Sequence, residues 1–292
     1  MNTSFFGLYI KTLIASLILL GSVAFVTYKV WVNVEKAQNV KSDLEDHYSY
    51  IPSDNEGISF LLAVNNNSEH GIYMLIKTEP EEAITTLAVI PWQLMGNSGV
   101  KHRTLDGFAE NGTGRDILNA VNSAFGTNIK KYLYINGETL SECLNLLGGI
   151  EYNVPDSVEY ESDSVYVSVS DGLQQISGNM IMGILGNPDN FGKNTDGADN
   201  IGALAAAVLG NQDVERVKEI SEAVFNKLLS GAETNLSAED YIMRREALNY
   251  MLNSEDKQVN VITAEGSFDI IKDNFTPSED FAERIKSEFY ID

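Results

Sequence analysis

The sequence predicts an α/β (α+β) domain with a central mixed β-sheet covered by helices on both faces, preceded by one N-terminal transmembrane helix. Three observations support this prediction. A long apolar run lies near the N-terminus, short apolar runs separated by turn residues follow it, and from residue 114 onward segments with helical spacing alternate with strand-like segments. Sheets and helices that each carry an apolar face bury those faces by packing on one another.

The N-terminal apolar run predicts a membrane anchor. A spanning helix needs about 20 mostly apolar residues, and Lys11 before the run favours a cytoplasmic N-terminus in a single-pass protein of the cell membrane. The alternative is a cleaved signal peptide, because Ser22-Val23-Ala24 has the small residues of a cleavage site. The predicted segments are a short cytoplasmic N-terminus (1–11), the transmembrane anchor (12–32), a juxtamembrane linker (33–56) and one extracytoplasmic domain (57–292).

Short apolar runs bounded by turn residues predict a meander of three strands at the start of this domain. Gly57 and the asparagines at 65–67 bound the first run, and Glu79-Pro80 ends the second. The predicted strands are residues 58–64, 72–77 and 84–91.

Helices and strands are then expected to alternate. A helix begins near Gly114 and stops near Gly126, and another covers 138–147 and ends at Gly148-Gly149, where the first glycine can adopt the left-handed conformation of a C-cap. The other predicted helices are residues 178–185, 201–209, 214–229 and a segment after the capping signal Ser237–Asp240. The other predicted strands are 132–135, 150–154, 165–169 and, as the final strand, 259–262, while 187–200 is predicted to be a polar loop.

The charge of the chain excludes one class of partner. The net charge is −22, and nucleic-acid binding requires clustered lysine and arginine, so no nucleic-acid partner is expected. Between Lys131 and Lys193 there is no basic residue at all. Cys143 is the single cysteine and lies in an apolar periodic stretch, which predicts a buried thiol rather than a nucleophile.

Three segments resemble, in order and approximate spacing, landmarks of the LytR-CpsA-Psr family: Ile90-Pro91-Trp92-Gln93, the stretch from Leu146 to Pro155, and Thr234-Asn235-Leu236-Ser237. The resemblance implies an extracellular domain that binds a polyprenyl-pyrophosphate-linked glycan and transfers the glycan phosphate to peptidoglycan. In that chemistry arginines clamp the pyrophosphate, aspartates hold a divalent metal ion, and an apolar pocket takes the isoprenoid chain.

The charged members of the family motif are absent from this chain. The resemblance places the two metal-ligand aspartates at Asn65 and Gly71, and the arginine and aspartate of the Ile-Pro-Arg-Asp motif at Trp92 and Gln93. Glu69 stands at a further arginine position. The later arginine positions fall near Gly186, Asn200 and Ala203, where Lys193 is the only cation. The sequence therefore predicts a lost or altered active site without a confident catalytic residue or metal site; Mg²⁺ is expected only if the chain is an active transferase.

Four charged residues after the altered motif are candidate residual ligand contacts: Lys101, Arg103, Asp106 and Arg115. Their alternative interpretation is a solvated surface cluster. Other kinds of site find no support, because the three histidines lack metal-ligand spacing with Cys143 and no G-x-S-x-G elbow is present. Oxygen donors between Asp189 and Asn200 suit calcium but lack the EF-hand order.

The leading hypothesis is a membrane-anchored, extracytoplasmic LytR-CpsA-Psr-like protein of cell-envelope glycopolymer assembly, catalytically degenerate and acting as a binding or scaffolding member. Its expected partners are the membrane through the N-terminal helix, a polyprenyl-linked lipid or cell-wall glycopolymer, and other envelope proteins. One alternative is an active phosphotransferase that uses Lys101, Arg103 and Asp106 as substituted ligands. Another is an acidic protein-interaction module without a lipid ligand, whose interior would be packed solid.

Overall fold

The structure is a computed structural model that describes residues 50–65, 70–99, 101–162, 165–186, 195–269 and 271–290. A compact unit begins at Ile51. The predicted anchor at 12–32 and most of the predicted linker lie outside the described residues. Within the described part of the chain, no helix is long and apolar enough to cross a bilayer.

Strands and helices alternate through this unit. The strands are β1 (Ile58–Asn65), β2 (Ile72–Glu79), β3 (Ile84–Ile90), β4 (Met95–Ser98), β5 (Lys101–Thr104), β6 (Lys131–Asn136), β7 (Ile150–Val154), β8 (Val158–Ser162), β9 (Val165–Val169), β10 (Gly172–Ile176), β11 (Ala232–Thr234), β12 (Gln258–Ile262), β13 (Gly266–Asp269) and β14 (Asn274–Pro277). The helices are α1 (Leu105–Asn111), α2 (Gly114–Phe125), α3 (Gly137–Leu147), α4 (Gly178–Gly186), α5 (Thr195–Gly210), α6 (Val214–Ser230), α7 (Ala238–Asn253) and α8 (Glu279–Phe289).

The central sheet has six strands in the order β11-β6-β1-β2-β3-β12. The predicted meander is confirmed, because β2 pairs antiparallel with both β1 and β3. Two pairs are parallel, β1 with β6 and β3 with β12, so the sheet is mixed as the sequence predicts. Parallel neighbours require a crossover connection, and the intervening helices supply it.

Each face of this sheet is covered by helices. On one face Phe125 of α2 packs edge-on against Phe281 of α8, and Lys77 of β2 reaches Glu288 of α8 with 3.0 Å between Nζ and Oε1. The opposite face, which carries alternate residues such as Phe60 and Leu62, lies beneath helices α3 to α7. A second apolar cluster joins the hairpins of β7 to β10 to α4 and α5 through residues such as Ile176 and Ile181.

Glycine signals and capping signals were reliable guides to the helix ends. Gly126 and Gly148 both adopt positive φ at the C-caps of α2 and α3, with values of 67° and 94°. Ser237 and Asp240 form the predicted capping box at the start of α7.

Two predictions about the secondary structure are wrong. The predicted loop to Asn200 is helical from Thr195, where α5 begins, and Gly197 and Ala198 in its first turn are buried. The strand ending at Ile262 is not the last, since β13, β14 and α8 follow it. The helical spacing of Phe281, Ile285 and Phe289, all fully buried, is the signal of α8 that the prediction missed.

Candidate functional site

The altered motif positions meet at one end of the sheet. Tyr73 of β2 pairs with Ile90 of β3, so Gly71 just before β2 lies beside the segment that follows β3. Here the ring of His70 stacks on Trp92 with 3.6 Å between centroids and 10° between planes. Gly71, Trp92 and the buried Gln93 line a cavity of about 30 Å³, which is called the motif cavity below.

Tyr73 and Asp106 together occupy the space that a side chain at position 71 would need. An ideal Cβ at Gly71 would lie 2.6 Å from the Tyr73 hydroxyl oxygen and 3.2 Å from Asp106 Oδ1. That oxygen accepts hydrogen bonds from the Gly71 backbone N–H at 3.1 Å and from the Tyr73 hydroxyl at 2.7 Å. The other carboxylate oxygen lies 2.9 Å from His70 Nδ1. A carboxylate from helix α1 thus stands where the resemblance places the missing second aspartate.

The position of Asp106 is fixed by its own helix. Thr104 caps α1 through its hydroxyl, and the Leu105 backbone N–H donates to Trp92 O at 3.1 Å, which ties the helix start to the motif segment. Burial raises the pKa of the Tyr73 hydroxyl well above its ordinary value, and the charge of Asp106 raises it further. Tyr73 is therefore a neutral hydrogen-bond donor to Asp106 over the physiological pH range.

The motif cavity has no cationic lining. Besides the β2 and β3 residues, Gly197, Ala198 and Ile201 of α5 line it, and no lysine or arginine does so among the described residues. A cavity of this size holds about one water molecule and is too small for a diphosphate.

Asn200 and Ala203 point to solvent, and Gly186 is buried. Glu69 and Lys193 lie outside the described residues.

Asn65 lies at the same end of the sheet, just after the Val64–Ile72 pair, but does not line this cavity. It ends β1 opposite Asn136 of β6, is exposed, and hydrogen-bonds with Tyr134. The other candidate contacts, Lys101, Arg103 and Arg115, are also exposed. Arg103 Nη1 donates to Gly107 O at 3.4 Å. The hydrogen bond from the Thr113 backbone lowers the pKa of Asp116, and the charge of Lys101 lowers it further, so Lys101 faces the start of α2. Of the four candidates, Asp106 is the one that hydrogen-bonds residues of the motif cavity, namely Gly71 and Tyr73.

The residues present do not fit a divalent metal ion of the kind the resemblance implies. Within the described ranges, no three His, Cys, Asp or Glu side chains converge on a common point. Asp106 hydrogen-bonds residues of the motif cavity without lining it, and both its oxygens already have partners within the chain.

Two apolar cavities lie beneath the sheet face that α3 to α7 cover. The larger has a volume of about 390 Å³ and the smaller about 200 Å³, and Ile76, Leu209 and Leu228 line both. Sequence periodicity does not reveal such cavities, because an apolar residue that lines a cavity and one that fills a core have the same periodicity. The larger volume lies within the size range of small-molecule sites, about 300–1,000 Å³, and the smaller lies below it.

Cys143 lines the smaller cavity, and its reactivity tests how closed that cavity is. Burial raises the pKa of the Cys143 thiol to about 11. Because only the thiolate reacts, alkylation by iodoacetamide at pH 8 should be about 100-fold slower in the native chain than in urea, where the pKa returns to about 8.5. The native rate should rise about tenfold per pH unit until the thiol titrates. Equal rates in the native and unfolded chains would show that the cavity is open.

No family profile matches the chain, and no curated protein matches it. Solved structures do match. A candidate transcription regulator from Eubacterium siraeum superposes with a TM-score of 0.69 at 17% identity, covering 83% of this chain and 95% of that one. B. subtilis TagV gives 0.62 at 15% identity, covering 81% and 98%. TagT bound to LIIa-WTA gives 0.60 at 16% identity, covering 83% and 93%.

TagV and TagT are enzymes of the LytR-CpsA-Psr family. At these identities the match concerns the fold, and the coverage of more than nine tenths of each of the three proteins shows that it extends over their whole domain. The described part of the chain therefore has the LytR-CpsA-Psr fold.

Proposed function

We propose that this chain is a membrane-anchored, extracytoplasmic protein of cell-envelope glycopolymer assembly that holds a polyprenyl-type lipid and no longer performs phosphotransfer. The observation that carries the proposal is the pair of apolar cavities beneath the sheet, with volumes of about 390 and 200 Å³. The structural similarity to TagV and to TagT bound to LIIa-WTA supports the envelope setting. Residues 12–32 would provide the anchor.

The hollow interior distinguishes this proposal from an acidic interaction module without a lipid ligand. An interaction module does not require an internal cavity, and close-packed domains contain few voids larger than a water molecule. Predominantly apolar cavities of this size favour a ligand with a large apolar part. The lipid chain is therefore a better-supported ligand than a partner protein alone.

The motif cavity supports the loss of catalysis. A pyrophosphate buried there would meet no lysine or arginine among the described residues, and the carboxylate of Asp106 lies behind Gly71. Burying such charges without partners costs several kcal/mol per ion. Transfer chemistry also needs stabilisation of the phosphoryl charge, which arginines or a metal ion ordinarily provide.

One observation favours the second candidate function, an active phosphotransferase. Asp106 places a carboxylate beside position 71, where the family has an aspartate. Its two oxygens are occupied by Gly71, Tyr73 and His70, so a metal ion would have to displace these partners. This candidate predicts ligand binding that depends on Mg²⁺.

Native mass spectrometry of the full-length chain, released from detergent micelles, tests the proposal. The chain is titrated with a polyprenyl monophosphate, with and without Mg²⁺. Equal binding in both conditions is the expected result, because the apolar chain supplies the affinity. Binding only with Mg²⁺ would replace the proposal with the transferase, and a folded chain that binds no lipid would leave the interaction module.

A further inference from the structure

The two apolar cavities are arranged end to end along the strands. Ile58 and Phe60 of β1 line the larger cavity, whereas Leu62 and Val64 line the smaller. These four alternate residues span about 20 Å at roughly 3.3 Å per residue. Val64 lies near the motif end of the sheet, so the larger cavity lies at the opposite end.

The larger cavity is lined by several cations, in a chain with a net charge of −22. Its lining includes three cations, Arg244, Arg245 and Lys257, and one carboxylate, Asp240. Arg244 Nε donates to Gly57 O at 3.2 Å, and Lys257 precedes Gln258, which pairs with Ile84, so both lie at the end of the sheet opposite the motif cavity. Asp240 is already compensated, since its Oδ2 lies 2.6 Å from Lys131 Nζ and its Oδ1 3.5 Å from Arg244 Nη1. These hydrogen bonds and charges lower the pKa of Asp240 despite the opposing effect of burial.

Lys257 has no such compensation. It is half-buried against the apolar lining, and it forms no ion pair within the described part of the chain. Arg245 donates to a single carboxylate oxygen, Glu246 Oε1, from Nε at 3.3 Å and from Nη2 at 3.1 Å. A cation held against apolar surface loses hydration without a partner, so a ligand anion at this position gains more than it would in water.

The neighbouring surface limits the charge of that ligand. A cleft of about 370 Å³ shares Ile58 and Thr78 with the larger cavity, and its acidic lining consists of Asp54, Glu79, Glu81 and Glu82. The carboxylates of this neighbouring cleft repel a diphosphate or a polyanionic glycan more strongly than a single carboxylate or monophosphate.

We propose that the chain binds an amphiphile with one anionic head group, oriented so that the head group contacts Lys257 and Arg245 while the tail runs through the larger cavity toward the smaller one. The head group then lies at the end of the sheet opposite the motif cavity. The inference rests on the proposed function insofar as both require the apolar cavities to accept a lipid chain.

Matched ligands and variants test this orientation. The full-length chain is titrated by native mass spectrometry with oleate and its neutral counterpart oleyl alcohol, and with farnesyl monophosphate and its neutral counterpart farnesol. Lys257→Gln and Arg245→Gln are each expected to weaken binding of the anionic ligands about tenfold or more, and to leave the neutral ligands unaffected. Lys272→Gln, which removes an exposed charge paired with Asp269, is the control for net charge.

Each outcome decides between the two proposals. Binding of oleate alone identifies a carboxylate head group, and binding of farnesyl monophosphate alone identifies a phosphate. If the anionic ligands bind but both variants retain wild-type affinity, or if Arg103→Gln weakens binding instead, the orientation is wrong while the lipid-binding function stands. If the wild-type chain binds none of the four ligands, the proposed function fails as well.

Discussion

Gly149→Ala should lower the free energy of unfolding by about 2–4 kcal/mol, because a methyl group at this position collides with fixed backbone. Gly149 has a φ of 71°, and an ideal Cβ would lie 2.1 Å from the carbonyl oxygen of Ile176. Ile176 pairs with Ile150 in the β7–β10 hairpin, so neither strand can retreat without loss of pairing. For a domain of this size the melting temperature should fall by about 5–15 °C.

Gly99→Ala is the matched control. Gly99 has nearly the same φ, 68°, but an added Cβ meets nothing within 4 Å. It therefore isolates the backbone cost of a left-handed residue, about 1 kcal/mol. Differential scanning fluorimetry of the full-length chain, which follows the tryptophan emission, measures both variants. Equal shifts in melting temperature for the two variants would show that the backbone around Ile176 moves to accommodate the methyl group without lowering the free energy of unfolding.

Filling the smaller cavity should abolish most of the lipid binding without destabilising the fold. Ala205 of α5 and Val224 of α6 both line that cavity, so the double variant Ala205→Phe/Val224→Phe puts aromatic rings into the space proposed for the lipid tail. Each buried methylene contributes about 0.8 kcal/mol, so excluding only two of them weakens binding about tenfold. Cavity filling itself ordinarily stabilises a fold by about 0.5–2 kcal/mol.

The control for this variant is Ala203→Phe, on the same helix but exposed to solvent. It adds one of the same rings without entering a cavity, so it should bind a polyprenyl monophosphate as the wild-type chain does. Native mass spectrometry gives the affinities and scanning fluorimetry the stabilities. A double variant that melts at or above the wild-type temperature yet binds lipid normally would place the ligand outside the cavities.

The regular elements of the core were predictable because their signals are local. Strands β1 to β3 are apolar runs between turn residues, and the ends of α2 and α3 depend on glycines at positive φ. Strands β4 and β5 were missed because each has only four residues, most of them polar, and β5 is largely exposed. No apolar periodicity therefore marks them. The two strands pair with each other, and this pairing depends on the tertiary structure rather than on a local sequence preference.

The motif cavity was predicted in part. The sequence placed Gly71, Trp92 and Gln93 at one site, and the antiparallel pairing of β2 with β3 brings them together. It also named Asp106 as a candidate contact, but gave no reason to separate it from Lys101, Arg103 and Arg115. The separation depends on α1, whose first turn directs one carboxylate to Gly71 and Tyr73 while the other three side chains remain in solvent.

The sequence by itself determined the mixed α+β class, the resemblance to landmarks of the LytR-CpsA-Psr family and the residue types at the positions which that resemblance assigns, because each depends on residue type and spacing. Only the tertiary structure decided that the interior is hollow, that Asp106 occupies the space beside Gly71, and that Lys257 and Arg245 stand at the far end of the larger cavity. A void and a distant charge depend on how elements pack across the sheet, and packing between elements leaves no periodic signal in the chain.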